Sequence, residues 1–224
     1  MSAIYDNELG SINSMGLPNN GIDFYLDNSN KFNKNYIISV SGLTLDDNIA
    51  ILTKIFNFIN NSDKSKQIIH GIEINLSCPN IIGKGQLAYD FPTLDIFLNS
   101  IFKKINYFKT VLNEFNIPII GVKLPPYFEL NHFEIVGNIL NNYSIDFITC
   151  INSIGNGLII DYKTESSVIK PKNGIGGIGG DYVKPTGLSN VYNFYTFFKK
   201  NNSSIKIIGC GGIKSGIDVF EYIL

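Results

Sequence analysis

The sequence contains no arginine and no tryptophan, and only three of its 224 residues are cysteines. The missing types accompany many Asn, Ile and Lys residues, which indicates a compositional bias rather than a function. Charged residues make up 17% and the net charge is −1, so the chain lacks the broad charged surface expected for binding nucleic acid or anionic lipid. Three cysteines without regular spacing argue against a disulfide framework and favour a reducing compartment.

The chain also lacks any apolar run of about 18 residues, the length needed to cross a membrane as a helix. Its first residues lack the charged and apolar regions of a signal peptide. We therefore expect a cytosolic protein without a membrane segment. The length fits a single domain over residues 1–224.

Strand-like and helix-like segments alternate along the chain. Short β-branched runs predict strands and longer amphipathic runs predict helices. The predicted strands are residues 36–40, 71–76, 118–124, 147–151 and 205–209. The predicted helices are residues 46–61, 92–116, 131–142, 188–200 and 215–224. About five βα units with short connections predict a parallel α/β sheet, either open and doubly wound or part of a larger barrel.

A glycine-rich segment at residues 161–187 interrupts this alternation. Residues 174–179 match the G-x-G-x-x-G dinucleotide pattern, but Pro185 follows before any predicted helix and no acidic residue ends a partner strand. We therefore expect a hairpin or an anion-binding backbone nest there. A second glycine run, residues 209–213, ends a strand and precedes a helix, so it predicts either a phosphate site or a tight turn.

The predicted strand at residues 71–76 runs into a loop that carries Cys78 between Asn75 and Asn80. Pro79 ends the strand because proline has no N–H to donate to a sheet. Parallel α/β proteins build their active sites at the carboxyl ends of strands. Cys78 is therefore a candidate for chemistry, and an inert thiol is the alternative.

Seven strings of residues resemble the class 1A dihydroorotate dehydrogenases, the cytosolic flavin enzymes of pyrimidine synthesis. They follow one another with family-like spacing at residues 8–19, 75–80, 86–91, 121–128, 152–158, 169–180 and 208–213. A cysteine at position 78 resembles class 1, whereas the membrane-bound class 2 enzymes carry serine there. The string at residues 86–91 favours class 1A over the NAD-linked class 1B.

The resemblance implies a (β/α)₈ barrel with FMN at its carboxyl face. It also implies further residues before Glu8 and after Leu224, which would supply the first, second and eighth strands and a Gly-Thr turn of the phosphate site. We therefore expect an incomplete barrel of about five βα units with two open edges, so that this chain alone binds FMN weakly or not at all and aggregates or self-associates. A non-catalytic remnant and a pyrimidine-binding module without redox activity are the alternatives.

The resemblance also implies roles for particular residues. Cys78 matches the general base that takes the C5 proton of dihydroorotate, while hydride leaves C6 for the flavin and fumarate becomes succinate. The pyrimidine and its carboxylate would be bound by Asn13, Met15, Gly16, Leu17, Asn75, Asn80, Asn152 and Ser153. FMN would be bound by Asn75, Lys123, Ile151, Gly180, Gly211 and Gly212. No metal is implied, and the complete enzyme would be a homodimer.

Overall fold

The computed structural model describes residues 2–32, 34–62, 68–77, 85–112 and 117–224. Its strands are β1 (Ile4–Asn7), β2 (Gly10–Asn13), β3 (Tyr36–Val40), β4 (Ile69–Asn75), β5 (Ile119–Leu124), β6 (Phe147–Cys150), β7 (Ile154–Gly157), β8 (Ile160–Asp161), β9 (Ser166–Ser167), β10 (Gly176–Gly180) and β11 (Lys206–Gly209). Its helices are α1 (Gly21–Asp27), α2 (Leu45–Asn61), α3 (Phe91–Val111), α4 (Leu130–Asn141), α5 (Lys184–Lys200) and α6 (Gly216–Ile223).

Five strands form a parallel sheet in the order β11-β6-β5-β4-β3. A helix follows each strand of this sheet in the chain, so the predicted βα units are confirmed. Within the described part of the chain, β3 and β11 form the two edges of the sheet. These edges are the open ones expected from the sequence.

Local side-chain signals set where the helices begin. Thr44 and Asp47 form a capping box at the start of α2, so two N–H groups outside the helical ladder find acceptors. Asp90 accepts from the N–H of Thr93 at the start of α3, and Pro92 occupies its first turn as predicted. None of the helices in the described ranges is both long and apolar enough to cross a membrane.

The pleat of the parallel sheet sorts its side chains onto two faces. One face packs in the main hydrophobic core and carries the fully buried side chains of Ile72, Ile74, Ile120, Val122, Leu124 and Ile148. The alternate positions place a polar set on the other face: Ser39, Glu73, Asn75, Lys123 and Thr149. The sheet therefore has one face that holds the fold together and one that can contact a ligand.

A second, antiparallel sheet in the order β1-β2-β10-β7 lies outside the sequence prediction. Residues 176–180 of the glycine-rich segment form the strand β10 between β2 and β7, and a hairpin, β8–β9, lies before the G-x-G-x-x-G pattern rather than in it. The expectation that Pro185 precedes any helix is wrong, because α5 begins at Lys184 and holds this proline in its first turn. Proline fits there because the first N–H groups of a helix have no acceptor within the helix.

We predict that Gly121→Ala destabilises the fold by about 1 to 3 kcal/mol through overpacking. A Cβ at this position would lie 2.3 Å from the buried ring of Phe147 on the neighbouring strand. Urea unfolding followed by circular dichroism measures the change. Gly155→Ala is the matched control, because no atom lies within 4 Å of its added Cβ. Equal unfolding free energies for the two variants would contradict the prediction.

Candidate functional site

A cavity of about 410 Å³ lies at the carboxyl ends of β5, β6 and β11, with β10 contributing one side. Two of the predicted substrate-binding residues, Asn152 and Ser153, line it. So do five of the predicted cofactor-binding residues: Lys123, Ile151, Gly180, Gly211 and Gly212. The structure thus brings together residues that are far apart in the sequence.

A hydrogen bond between two of the predicted ligand-binding asparagines connects β4 to this cavity. The Nδ2 of Asn152 donates to the Oδ1 of Asn75 over 3.3 Å, and the N–H of Ser77 donates to the same oxygen over 3.0 Å. The Oδ1 of Asn152 accepts from the N–H of Ser153 at 2.8 Å. The backbone N–H of Asn152 donates to the carbonyl of Leu124 at the end of β5. The carboxamides are therefore held in fixed orientations by the strand ends.

Lys123 lies beside these carboxamides, paired in register with Asn75 on β4 and with Thr149 on β6. Its side chain is only partly exposed. In the parts of the chain that are described, its ammonium makes neither a hydrogen bond nor an ion pair. A half-buried cation without an internal partner is suited to an anionic or electron-rich ligand.

The turn after β11 offers a second feature suited to an anion. Gly211 and Gly212 have φ values of 135° and 66°, which a side chain would strain. The backbone N–H groups of Gly211, Gly212 and Ile213 find no acceptor within the described ranges. Successive N–H groups in a turn can form a concave anion-binding nest, and these three residues line the cavity. We call residues 211–213 the N–H nest.

The remaining predicted residues stand differently. Asn13 belongs to β2 and pairs with Gly177 on β10. If Gly177 carried a Cβ, that atom would lie 2.4 Å from the Oγ of Ser153, which lines the cavity. Asn13 is therefore close to the cavity without lining it. Residues 15–17 do not line the cavity, and Met15 and Leu17 are exposed. The prediction that Met15, Gly16 and Leu17 bind the carboxylate thus has no support from their position here. Cys78 and Asn80 lie outside the described residues.

Sequence reasoning missed a polar centre on the same face of the sheet. Glu73 accepts from the hydroxyl of Ser39 at 2.8 Å through Oε1 and from that of Thr149 at 2.5 Å through Oε2. The signal was present in the sequence, since Glu73 lies two residues before Asn75 and therefore on the same face of the strand.

A parallel α/β sheet with a cavity at the carboxyl ends of its strands puts the chain in the class of α/β proteins that includes the barrels and the doubly wound folds. Within that class, the chain belongs to the dihydroorotate dehydrogenase family, whose family model matches residues 3–224. The family expected from the sequence is confirmed.

Two curated relatives agree with this assignment, and one solved structure shares the fold. Curated proteins named dihydroorotate dehydrogenase (fumarate) are 50% identical in Lachancea kluyveri and 49% identical in Saccharomyces cerevisiae, each over 223 residues. Both alignments cover 96% of this chain, and the chain spans 64% of the length of either relative. The crystal structure of the Eimeria tenella dihydroorotate dehydrogenase with ferulenol superposes with a TM-score of 0.63 at 18% identity. The superposition covers 96% of this chain and 59% of the Eimeria tenella chain, and it confirms the predicted fold, an incomplete barrel.

We predict that Cys150 resists alkylation in the folded protein. The thiol is fully buried, and this burial raises its pKa far above the ordinary value, an effect that nearby Lys123 only partly offsets. The folded thiol therefore keeps its proton above pH ~8.5, where an unfolded thiol ionises and reacts. Mass spectrometry after iodoacetamide treatment should show Cys150 labelled only in urea. Native labelling of Cys150 as fast as that of the half-buried Cys210 would contradict this.

Proposed function

We propose that this chain carries the flavin and substrate sites of a class 1A dihydroorotate dehydrogenase. The reaction is the FMN-dependent oxidation of dihydroorotate to orotate in pyrimidine biosynthesis, with fumarate as the electron acceptor. The single observation that carries the proposal is that Lys123 and Asn152 line one cavity, with Asn75 hydrogen-bonded to Asn152 beside it, in a chain that belongs to this family. The resemblance to class 1A also supports a cytosolic location and a homodimer for the complete enzyme.

The residues at the cavity fit FMN. Lys123 supplies a cation that has no ion-pair partner among the described residues, and such a cation stabilises negative charge on an electron-rich ring. The N–H nest and Gly180 supply a backbone surface for a phosphate, and a Cβ at Gly180 would lie 2.4 Å from the Cα of Gly10, so no larger residue fits there. When bound, FMN supplies the hydride acceptor of the reaction.

The substrate side of the proposal rests on neutral hydrogen-bonding groups. Asn75, Asn152 and Ser153 offer donors and acceptors that match the edges of a uracil-like ring without adding charge. Asn13 lies close enough to take part, and Asn80 joins this set through the family motif. The preformed hydrogen bond between Asn75 and Asn152 reduces the entropy lost when the ring binds.

Cys78 is the proposed general base. In the sequence it follows Leu76 by two residues, and the N–H of Leu76 donates to the carbonyl of Lys123. As base, the Cys78 thiolate takes the proton from C5 of dihydroorotate, and the thiol formed must lose that proton before the next turnover.

The proposal is tested by purifying the chain with excess FMN and recording its visible spectrum. With FMN in large excess to offset the weak binding expected of this chain alone, we expect the flavin absorbance to bleach with dihydroorotate in the absence of oxygen and to return with fumarate. A colourless protein that still binds orotate would favour the pyrimidine-binding alternative. A colourless protein that binds neither ligand would overturn the proposal.

We predict that Cys78→Ala slows flavin reduction by dihydroorotate at least about a hundredfold, the lower end of general acid–base contributions. Anaerobic stopped-flow spectroscopy measures the rate as the loss of flavin absorbance at about 450 nm, because the flavin loses this band when it accepts hydride. The control is the FMN content of the variant, which should match that of the parent. A reduction rate near that of the parent would remove Cys78 from the role of base.

We also predict that Lys123→Met lowers the reduction potential of bound FMN and slows its reduction by about a hundredfold, because a fixed cation beside developing negative charge is lost. Equilibration with a redox dye measures the potential. Lys103→Met on α3 is the control, since Lys103 is exposed and remote from the cavity. Identical potentials for both variants would show that Lys123 does not act on the flavin.

A further inference from the structure

The next two N–H groups after the N–H nest, those of Lys214 and Ser215, donate hydrogen bonds to a single carboxylate. Asp218 on α6 accepts from the N–H of Lys214 at 2.9 Å and of Ser215 at 2.6 Å, both through Oδ2. The same oxygen accepts from the hydroxyl of Ser215 at 2.8 Å. Five successive N–H groups thus divide into three without an acceptor in the described ranges and two held by Asp218. Asp218 therefore fixes where the nest ends.

Lys184, in the first turn of α5, connects this carboxylate to the nest from the other side. Its ammonium forms ion pairs with Asp218 and, at 2.5 Å, with Glu221. A Cβ added at Gly212 would lie only 2.6 Å from the Cβ of Lys184, so the aliphatic part of the lysine packs against the nest backbone. The side chains of Lys184 and Asp218 are only 23% and 12% exposed, so solvent screens this pair less than an exposed one.

The Lys184 ammonium, followed by the N–H and hydroxyl donors, lowers the pKa of Asp218 far below its usual range. A carboxyl with a depressed pKa stabilises the fold above its ordinary value of about 3.9 and loses that contribution as the pH falls through its folded value. The ion pair between Lys184 and Asp218 is therefore intact throughout the neutral pH range.

Tyr222, also on α6, supports the nest from beneath. Its hydroxyl donates to the carbonyl of Gly211 at 2.8 Å. Its ring lies 2.6 Å from where a Cβ at Gly209 would stand, so the strand end rests directly on the ring. One short helix thus contacts the turn through a carboxylate and a phenol.

The cations next to the nest are compensated. Lys184 has two carboxylate partners, and Lys214 pairs with Asp181 at 2.5 Å. The positive charge of these ammonium groups is therefore offset within the protein. An anion in the nest would be held mainly by backbone N–H dipoles, as in other anion-binding turns.

We propose that Lys184, Asp218 and Tyr222 are positioning residues that hold the N–H nest in the shape that binds the phosphate of FMN, and that Lys184 does not itself pair with that phosphate. The inference rests on the proposed function, which identifies the anion. The discrimination between FMN and riboflavin, which lacks the phosphate, is thereby assigned to the contacts that α6 and Lys184 make with the nest.

The test compares the dissociation constants of FMN and riboflavin, each titrated into the millimolar range and followed by flavin fluorescence. We expect the parent chain to prefer FMN. Lys184→Met and Tyr222→Phe should each weaken FMN binding about tenfold, the loss of roughly one charge-assisted or well-formed hydrogen bond. Riboflavin binding should change less than about twofold, and Lys184→Arg should restore the preference for FMN.

Matched controls remove the same groups elsewhere. Lys54→Met deletes an exposed ion pair with Asp23, and Tyr192→Phe deletes an exposed hydroxyl on α5. Both should leave the ratio of the two affinities unchanged. An equal loss of FMN and riboflavin binding in Lys184→Met would indicate general destabilisation and overturn the positioning role.

Salt dependence separates positioning from direct contact. If Lys184 only positions the nest, the dependence of FMN affinity on NaCl concentration should be the same in Lys184→Met as in the parent. A shallower dependence in the variant would show that Lys184 contacts the phosphate, which would overturn the inference. A parent chain that binds both flavins equally would overturn the inference but not flavin binding, whereas one that binds neither would overturn the proposed function too.

Discussion

The register of the parallel strands is the constraint on which the candidate site depends. Asn75, Lys123 and Thr149 pair across β4, β5 and β6, so their side chains lie side by side on one face. A slip of one residue in β5 would turn Lys123 into the apolar core and bring Val122 or Leu124 to the ligand face. The burial of those two side chains opposes that slip. The hydrophobic core thus positions the polar groups it does not contact.

The parallel sheet could be predicted from the sequence because its information is local. The strands of the βα units show apolar runs that a short window detects, and the helices show caps and a 3.6-residue period. Helix α5 begins at Lys184 rather than at the predicted residue 188, and Pro185 stands in its first turn, where proline is tolerated. The antiparallel sheet could not be predicted. Its strand β10 is four-fifths glycine, and its partner β2 lies near the other end of the chain.

The candidate site divides in the same way. Lys123 could be found from the sequence, because a charged residue inside an apolar strand must serve some purpose. The contact between Asn75 and Asn152 depends on tertiary structure, and in a chain rich in asparagine only the family resemblance selected these two. The hydroxyl contacts of Glu73 were missed because Ser39 and Thr149 carry no signal until the strands are paired. Cys78 and Asn80 rest on the motif alone.

The position of Glu73 has a consequence for the electric field in the cavity. Glu73 and Lys123 lie on the same face of adjacent strands, one two-residue repeat apart along the sheet, or about 7 Å. The carboxylate is satisfied by two hydroxyl groups, and in the described ranges it forms no ion pair with the lysine. The sheet therefore keeps a separated negative and positive charge, with the positive one nearer the carboxyl ends of the strands. The resulting dipole runs along the strands toward their carboxyl ends, where the cavity lies, and it exists before any ligand arrives, so no reorganisation is needed to create it.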